Sequence, residues 1–267
     1  MGTPIFVTHD RAPGDICVAT SCIHSLATTY PGKYDIHVGG RYPELWAHNP
    51  HIISFSPIAI KDVPQYTLDY GRFIRESNTR KIHFINAMHL DLARHLGTTV
   101  PVVQPRPALY LDEWHQQNRP IDGRYWFILA GGKNDFTVKI SSTVYWQTIV
   151  DTLLKYHIRC VQGGAVSRNP KRDGRYEHCH PPLANTLNLA GCTSLRDMLW
   201  LIKHADGIIC PITAAMHMAA AFERPCVVLA GGREAWWWEG YVNAGVNQFG
   251  PECPPVRVPH RYLHTLG

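Results

Sequence analysis

The stretch from His204 to Gly232, HADGIICPITAAMHMAAAFERPCVVLAGG, leaves few options for the fold around it. Gly207-Ile208-Ile209-Cys210 is a short apolar run with the length and character of a buried parallel strand. Pro211-Ile212-Thr213 is a turn whose threonine suits a helix cap. Ala214 to Phe222 is rich in Ala and Met with almost no β-branching, which predicts a helix. Glu223-Arg224-Pro225 ends it, and Cys226 to Ala230 predicts a second buried strand running into Gly231-Gly232. Strand, tight turn, helix and strand make a βαβ unit, which needs a parallel sheet. The helix starts at the carboxyl end of a strand, where unpaired N–H groups and the positive end of the helix dipole suit a phosphate. Ala214 and Ala215 let a ligand approach the backbone, and His217 on the first turn has an imidazole within reach of the same anion.

The same alternation extends along the chain. Pro4 to Thr8 predicts a strand, and Ile16 to Thr29 a helix with Ile16, Ile23 and Leu26 inward. Tyr34 to Val38 predicts a second strand, Gly39 to Trp46 a turn and short helix, and Asn49 to Phe55 a turn into a third strand. Tyr66 to Glu76 has no clear period, whereas Ile82 to Leu96 has apolar residues at helical spacing and closes at Gly97. The prolines of Pro101 to Pro107 imply an extended stretch; with Asn118-Arg119-Pro120 they put a domain boundary between Leu111 and Asp122. Beyond it, Tyr125 to Ala130 predicts a buried strand followed by Gly131-Gly132, and Trp146 to Leu154 an amphipathic helix. Ile158 to Gln162 then leads into Gly163-Gly164, and Thr193-Ser194 cap a helix from Leu195 to His204. The expected architecture is α/β, with two Rossmann-like domains at 1–116 and 117–250. A basic, proline-rich tail, 251–267, is expected to cross back to the first domain.

At 267 residues, 45% hydrophobic and 18% charged, the chain suits two modest soluble domains with real cores. No run reaches membrane-span length, and Asp10, Arg11 and Asp15 stand where a signal peptide has its apolar core, so a cytoplasmic location is expected. The eight cysteines show no C-x-x-C spacing and read as buried thiols of a reducing compartment. A net charge of +5 fits an anionic ligand such as a nucleotide diphosphate and is too mild to argue for nucleic-acid binding alone. His178-Cys179-His180 invites a metal reading, but three adjacent residues do not readily surround one ion and no second pair follows at finger spacing, so no metal site is expected.

Several of these segments carry a family resemblance. Asn188-Leu189-Ala190-Gly191-Cys192-Thr193-Ser194-Leu195, then Pro211-Ile212-Thr213-Ala214-Ala215-Met216-His217-Met218-Ala219-Ala220-Ala221, resembles the C-terminal half of glycosyltransferase family 9. Those are the ADP-heptose:lipopolysaccharide heptosyltransferases, of GT-B fold. Their pattern is roughly N-L-x-G-x-T-S-L followed by G-P-D-T-G-P-M-H-L-A-A-A-L-G-x-P. Here Ile212 replaces the family Asp, Ala214 replaces Gly, and Glu223-Arg224-Pro225 replaces G-x-P, while Thr213, Met216 and His217 match. Pro13-Gly14-Asp15-Ile16 is similar to the family's P-G-D-x-[LIV] start, whose aspartate is its proposed catalytic base. The resemblance therefore implies that role for Asp15, with N-capping as the plain structural alternative and Asp10 as the rival carboxylate. Lys139 ahead of Tyr145-Trp146 resembles the family lysine that contacts the donor diphosphate, with Lys133 as rival.

The resemblance implies two facing GT-B domains and no cofactor beyond a nucleoside-diphosphate sugar as co-substrate. Donor contacts are expected at Gly131, Gly132, Lys139, Gly163, Leu189, Gly191, Thr193, Thr213, Ala214, Met216, His217, Gly232 and Arg233. The acceptor, a carbohydrate or other hydroxyl-bearing molecule, is expected at Gly14, Arg41 and Trp237. Trp236-Trp237-Trp238 suits either stacking on a sugar or base, or wedging the two domains together. The expected reaction is inverting and metal-independent, since no D-x-D pair stands at a strand end. A nucleotide-sugar epimerase or hydrolase of the same fold, and a non-catalytic nucleotide-sugar-binding protein, are the competing classes; the basic first half leaves a nucleic-acid acceptor open.

Overall fold

The computed structural model describes residues 2–73, 82–133, 142–166, 178–230, 236–241 and 258–264. The chain divides into two compact units, Met1–Asp112 with Trp237–Arg257, and Glu113–Trp236 with Val258–Gly267.

In the first unit, β1 (Thr3–His9) is followed by α1 (Pro13–Thr29), β2 (Tyr34–Gly40), α2 (Pro43–Trp46), β3 (Ser54–Ser56), β4 (Gln65–Thr67) and α3 (Phe84–Leu96). The strands lie in the order β3-β2-β1-β4 and all pair parallel. With a neighbour on each side and apolar cover, β1 buries Ile5, Phe6 and Val7 in succession, which is why it reads as a continuous apolar run. Pro13 opens α1, where its missing N–H is no loss, and Ile16, Ile23 and Leu26 are fully buried, as the sequence predicts. The buried hydroxyls of α1 bind the proline-rich extended segment. Thr20 Oγ1 accepts the Ala108 N–H (2.9 Å), Ser21 Oγ donates to the Gln104 carbonyl (2.6 Å), and Ser25 Oγ accepts the Val103 N–H (3.2 Å). Those bonds satisfy backbone groups that no strand partner serves there. α3 ends at Gly97, left-handed with φ 61°, as its sequence predicts. β4 falls in the window that showed no period. The chain beyond it is held by Asp91, fully buried, which accepts the Asp69 N–H (2.8 Å) and pairs with Arg94 (3.0 Å).

The second unit runs α4 (Glu113–Gln117), β5 (Trp126–Ile128), β6 (Gly132–Lys133), α5 (Thr143–Lys155), β7 (Cys160–Gln162), β8 (His178–Cys179) and β9 (Thr186–Asn188). It continues with α6 (Leu195–His204), β10 (Gly207–Pro211), α7 (Ala214–Ala221) and β11 (Cys226–Ala230), then α8 (Trp236–Glu239) at the junction and β12 (His260–His264). The βαβ unit is thus β10, α7 and β11, and all of β10 is buried. Six parallel strands lie in the order β12-β11-β10-β5-β7-β9, and β6 and β8 form a small antiparallel ladder. Counted along the chain, that order is the doubly wound 3-2-1-4-5-6, reversing between β5 and β10. The core between this sheet and α5 holds Ile128, Trp146, Val150, Cys160 and Leu183.

The tail departs from expectation in its last described part. His260 to His264 does not cross to the first unit but pairs parallel with β11 as the edge strand of the second sheet. Its polar composition suits an edge: His260 is buried while Arg261 and Leu263 are exposed, and β11, an apolar run, gains its second neighbour. Among the described residues no helix is long and apolar enough to cross a membrane.

Candidate functional site

In a doubly wound sheet, ligands bind outside the carboxyl ends of the strands where the strand order reverses. In the second unit that position is the end of β5, running into Leu129-Ala130-Gly131, beside the end of β10, running into Ile212-Thr213. The Leu129 N–H, bonded to the Ile209 carbonyl (3.0 Å), keeps the two strands together to their ends. α7 starts there. Thr213 is its N-cap residue, yet the hydroxyl turns back to the Pro211 carbonyl (3.3 Å) and makes no capping bond. The cap expected from the sequence is therefore not made by the side chain, and no side chain of the N-cap residue occupies the first-turn amides. α6 is different: Ser194 Oγ accepts the Asp197 N–H (3.1 Å) and Asp197 Oδ2 accepts the Ser194 N–H (2.8 Å), a closed capping box.

The other residues expected on α7 divide by depth. Thr213 and Ala214 are half-buried at the helix start, whereas Met216 and His217 are buried. Met216 Sδ accepts the Tyr262 hydroxyl of β12 (3.7 Å). His217 lies near His260, whose pKa is held down to about 3, first by burial and then by the charge of His217. Ile212 is buried too, 1% exposed.

Leu189, Gly191 and Thr193 stand in a turn pinned to the carboxyl end of β7. The Leu189 N–H reaches the Gln162 carbonyl and the Gly191 N–H the Gly164 carbonyl, both at 2.8 Å, with Gly191 at φ 75°. Gly131 is buried beyond β5, and Gly132 pairs with Cys179 in the small ladder. Gly163 has a packing reason to be glycine: a Cβ there would lie 2.4 Å from Phe127 Cζ. Lys139, Gly232 and Arg233 lie outside the described residues.

In the first unit, Gly14 and Asp15 are the second and third residues of α1, at the carboxyl edge of the first sheet. Asp15 Oδ2 accepts the Ala12 N–H (3.0 Å), so the carboxylate does serve the helix start, and it remains only half-buried. Arg41, exposed just after β2, lies over the Tyr42 ring (5.2 Å). The Trp237 side chain lies outside the described residues. Trp238 is 8% exposed, stacked on Phe84 (5.3 Å, 22°) and near Tyr70 (6.1 Å), while Tyr241 is fully buried beside His83 (5.5 Å). Trp238 is thus a core residue of the first unit. His9, the last residue of β1, escaped sequence reasoning because it reads as the first residue of a loop; its imidazole is buried, with Nδ1 2.9 Å from the Leu68 carbonyl. Among the described residues no three His, Cys, Asp or Glu side chains gather as a metal site.

Residues 90–246, more than half of the chain, match the family model for glycosyltransferase family 9 (heptosyltransferase). No curated protein matches the chain. Among solved structures it is similar to a family 9 glycosyl transferase from Veillonella parvula, at 13% identity and TM-score 0.70, covering 98% of this chain and 86% of that one. It is similar to E. coli heptosyltransferase WaaC, solved with ADP, at 14% identity and TM-score 0.67, covering 99% and 94%. It is also similar to TibC, an iron-containing dodecameric glycosyltransferase from enterotoxigenic E. coli, at 16% identity and TM-score 0.62, covering 92% and 64%.

Proposed function

The chain belongs to glycosyltransferase family 9, and from that premise we propose that it moves a heptose or hexose from a nucleoside-diphosphate donor to a hydroxyl acceptor, with inversion and without metal. That it is a glycosyltransferase of GT-B fold follows from the family and from the parallel sheets. The observation that carries the finer reading is the start of α7. Its threonine turns away from the first-turn amides at the strand-order reversal, and the sister helix α6 is sealed by its own side chains. An uncapped helix start at that position suits a diphosphate.

In this scheme Asp15 takes the proton of the acceptor hydroxyl. The oxygen attacks the anomeric carbon from the face opposite the diphosphate, and the glycosidic C–O bond breaks with its electron pair leaving on the diphosphate. The α7 amides and Lys139 stabilise the charge that gathers there, with His217 behind them. Gly131, Leu189, Gly191 and Thr193 line the nucleotide side; Gly14, Arg41 and Trp237 serve the acceptor. The donor is a co-substrate, and no further cofactor enters. Similarity to iron-containing TibC makes metal independence a point to test directly.

Thermal-shift measurements against ADP, GDP, UDP and their sugars come first, since a ligand that binds only the folded chain raises Tm by mass action. Transfer is then followed by mass spectrometry with and without chelator, and product anomers by NMR. Sugar release without any acceptor marks a hydrolase instead. A nucleotide lying away from the α7 start in a crystal, or no nucleotide response at all, removes the donor assignment.

A further inference from the structure

Among the described residues, the first unit holds a buried imidazole nitrogen at a strand end that no other group partners. His9 is 1% exposed, and the oxygen 2.9 Å from its Nδ1 is the Leu68 carbonyl, which only accepts. Nδ1 therefore carries the proton and Nε2 is left as a lone-pair acceptor. Among the described residues Nε2 has no hydrogen-bond partner and no solvent contact. Buried polar groups are rarely left so, and an exception calls for a water, an ion or a ligand group. Burial, the largest influence, and then Arg11 hold the imidazole below its ordinary pKa against the opposing Leu68 bond, Asp10 and Asp69; the ring stays neutral and its lone pair available.

The position is as telling as the atom. β1 lies between β2 and β4, where the order of the first sheet reverses, and His9 is the residue at its carboxyl end. Gly40 closes in beside it with φ 104°: a Cβ there would stand 2.5 Å from the His9 carbonyl oxygen and 2.8 Å from Asp10 Oδ1. Around it stand Arg11, 3.8 Å from Asp69, and Tyr70, whose ring centroid is 6.0 Å from that of His9. These are groups of the kind that hold sugar hydroxyls, and α1 with Asp15 begins four residues after His9.

We propose that His9 orients the acceptor: its Nε2 accepts the hydrogen bond of one acceptor hydroxyl, a different one from the hydroxyl that Asp15 deprotonates. This rests on the transferase reading above. Nε2 has no solvent contact, so a hydroxyl reaches it only as a neighbouring side chain moves, and Tyr70 is the ring beside it. A site built to receive a hydroxyl rejects the analogue lacking it, so His9 is a specificity-determining residue.

His9→Asn tests this, because its amide N–H replaces the donor to Leu68 and nothing replaces Nε2; His9→Gln restores a polar atom near Nε2. Donors are ADP-, GDP- and UDP-sugars, and acceptors are heptose-free lipopolysaccharide and methyl heptosides with each monodeoxy analogue. The expected result for His9→Asn is an acceptor KM raised about tenfold, the size of one hydrogen bond, with kcat and donor Kd within about twofold and partial recovery in His9→Gln. One monodeoxy acceptor should carry the same tenfold loss in wild type and none in His9→Asn. Transfer by wild type with an unchanged acceptor KM in His9→Asn overturns the proposal alone. So does a joint fall of kcat, donor affinity and Tm, which marks a structural histidine. No transfer by wild type to any acceptor overturns the transferase reading and this proposal with it.

Discussion

His89 turns the packing of the first unit into a number. Its imidazole is fully buried on α3, with Nδ1 2.8 Å from the Ile85 carbonyl and 3.3 Å from Cys22 Sγ, and Nε2 2.9 Å from Ser25 Oγ. Because Ile85 accepts, Nδ1 holds the proton and the Ser25 hydroxyl donates to Nε2; Ser25 Oγ in turn accepts the Val103 N–H (3.2 Å). Protonating Nε2 sets two donors against each other and leaves a charge in the core. Burial accordingly pushes the pKa from 6.5 down to about 4, the Ile85 bond opposing. The folded pKa is the lower one, so between pH 6.5 and 4 the unfolded chain binds more protons. Stability is complete above that window, falls as pH drops through it and levels off below. At about 1.4 kcal/mol per pH unit, the whole loss is about 3 kcal/mol, most of it gone by pH 4.5. Hydrogen exchange of the α3 amides, corrected for intrinsic rates at pH 7, 6, 5 and 4.5, reads this out. Buried His9 and half-buried His24 and His51 push the same way, so the difference between wild type and His89→Leu isolates the effect. His89→Leu should start lower at pH 7 and lose less on acidification. Parallel pH profiles for the two proteins would refute the argument.

Three further substitutions probe the sites. Asp15→Asn should abolish transfer, measured by mass spectrometry, while the nucleotide-induced Tm shift persists; normal turnover removes Asp15 from the mechanism. Ala214→Asp places a carboxylate on the first turn of α7, where the helix dipole favours it by about 0.3–1 kcal/mol but a diphosphate is repelled. Unliganded Tm should hold or rise while the nucleotide shift disappears, and an undiminished shift would place the diphosphate elsewhere. Gly163→Ala drives a methyl to 2.4 Å from Phe127 Cζ and should cost about 1–3 kcal/mol in urea unfolding; a change below about 0.5 kcal/mol would mean the ring moves freely.

What the sequence disclosed follows from which forces act locally. The βαβ unit, α1 and α3 announce themselves because apolar period, helix propensity and the Gly97 cap agree over ten or more residues. β4 is three residues long and owes its place to pairing with β1 and to Asp91 some twenty residues on, so no window around it carries the signal. The hydroxyls of Thr20, Ser21 and Ser25 read as mere interruptions of an apolar helix until the proline-rich segment they bind is beside them. At the site, spacing brought Thr213, Ala214 and the Leu189–Thr193 turn to strand ends, because glycines and caps mark strand-to-helix turns. Spacing did not show that the Thr213 hydroxyl faces backward, that Gly163 answers to Phe127, or that Trp238 is packing rather than platform. The last two are contacts across tens of residues, and the first is a rotamer choice that residue type leaves open, so a one-dimensional pattern carries none of them.

Neither unit is a single stretch of chain: the polypeptide changes unit after Asp112, again after Trp236 and a third time after Arg257. A recombination event at any one of these points severs something. A fragment stopping at Asp112 leaves Phe84 and His83 without Trp238 and Tyr241, and one stopping near Gly232 strips β11 of its outer neighbour. Grafting one unit onto a relative therefore keeps these contacts only when all three crossings are transplanted in register.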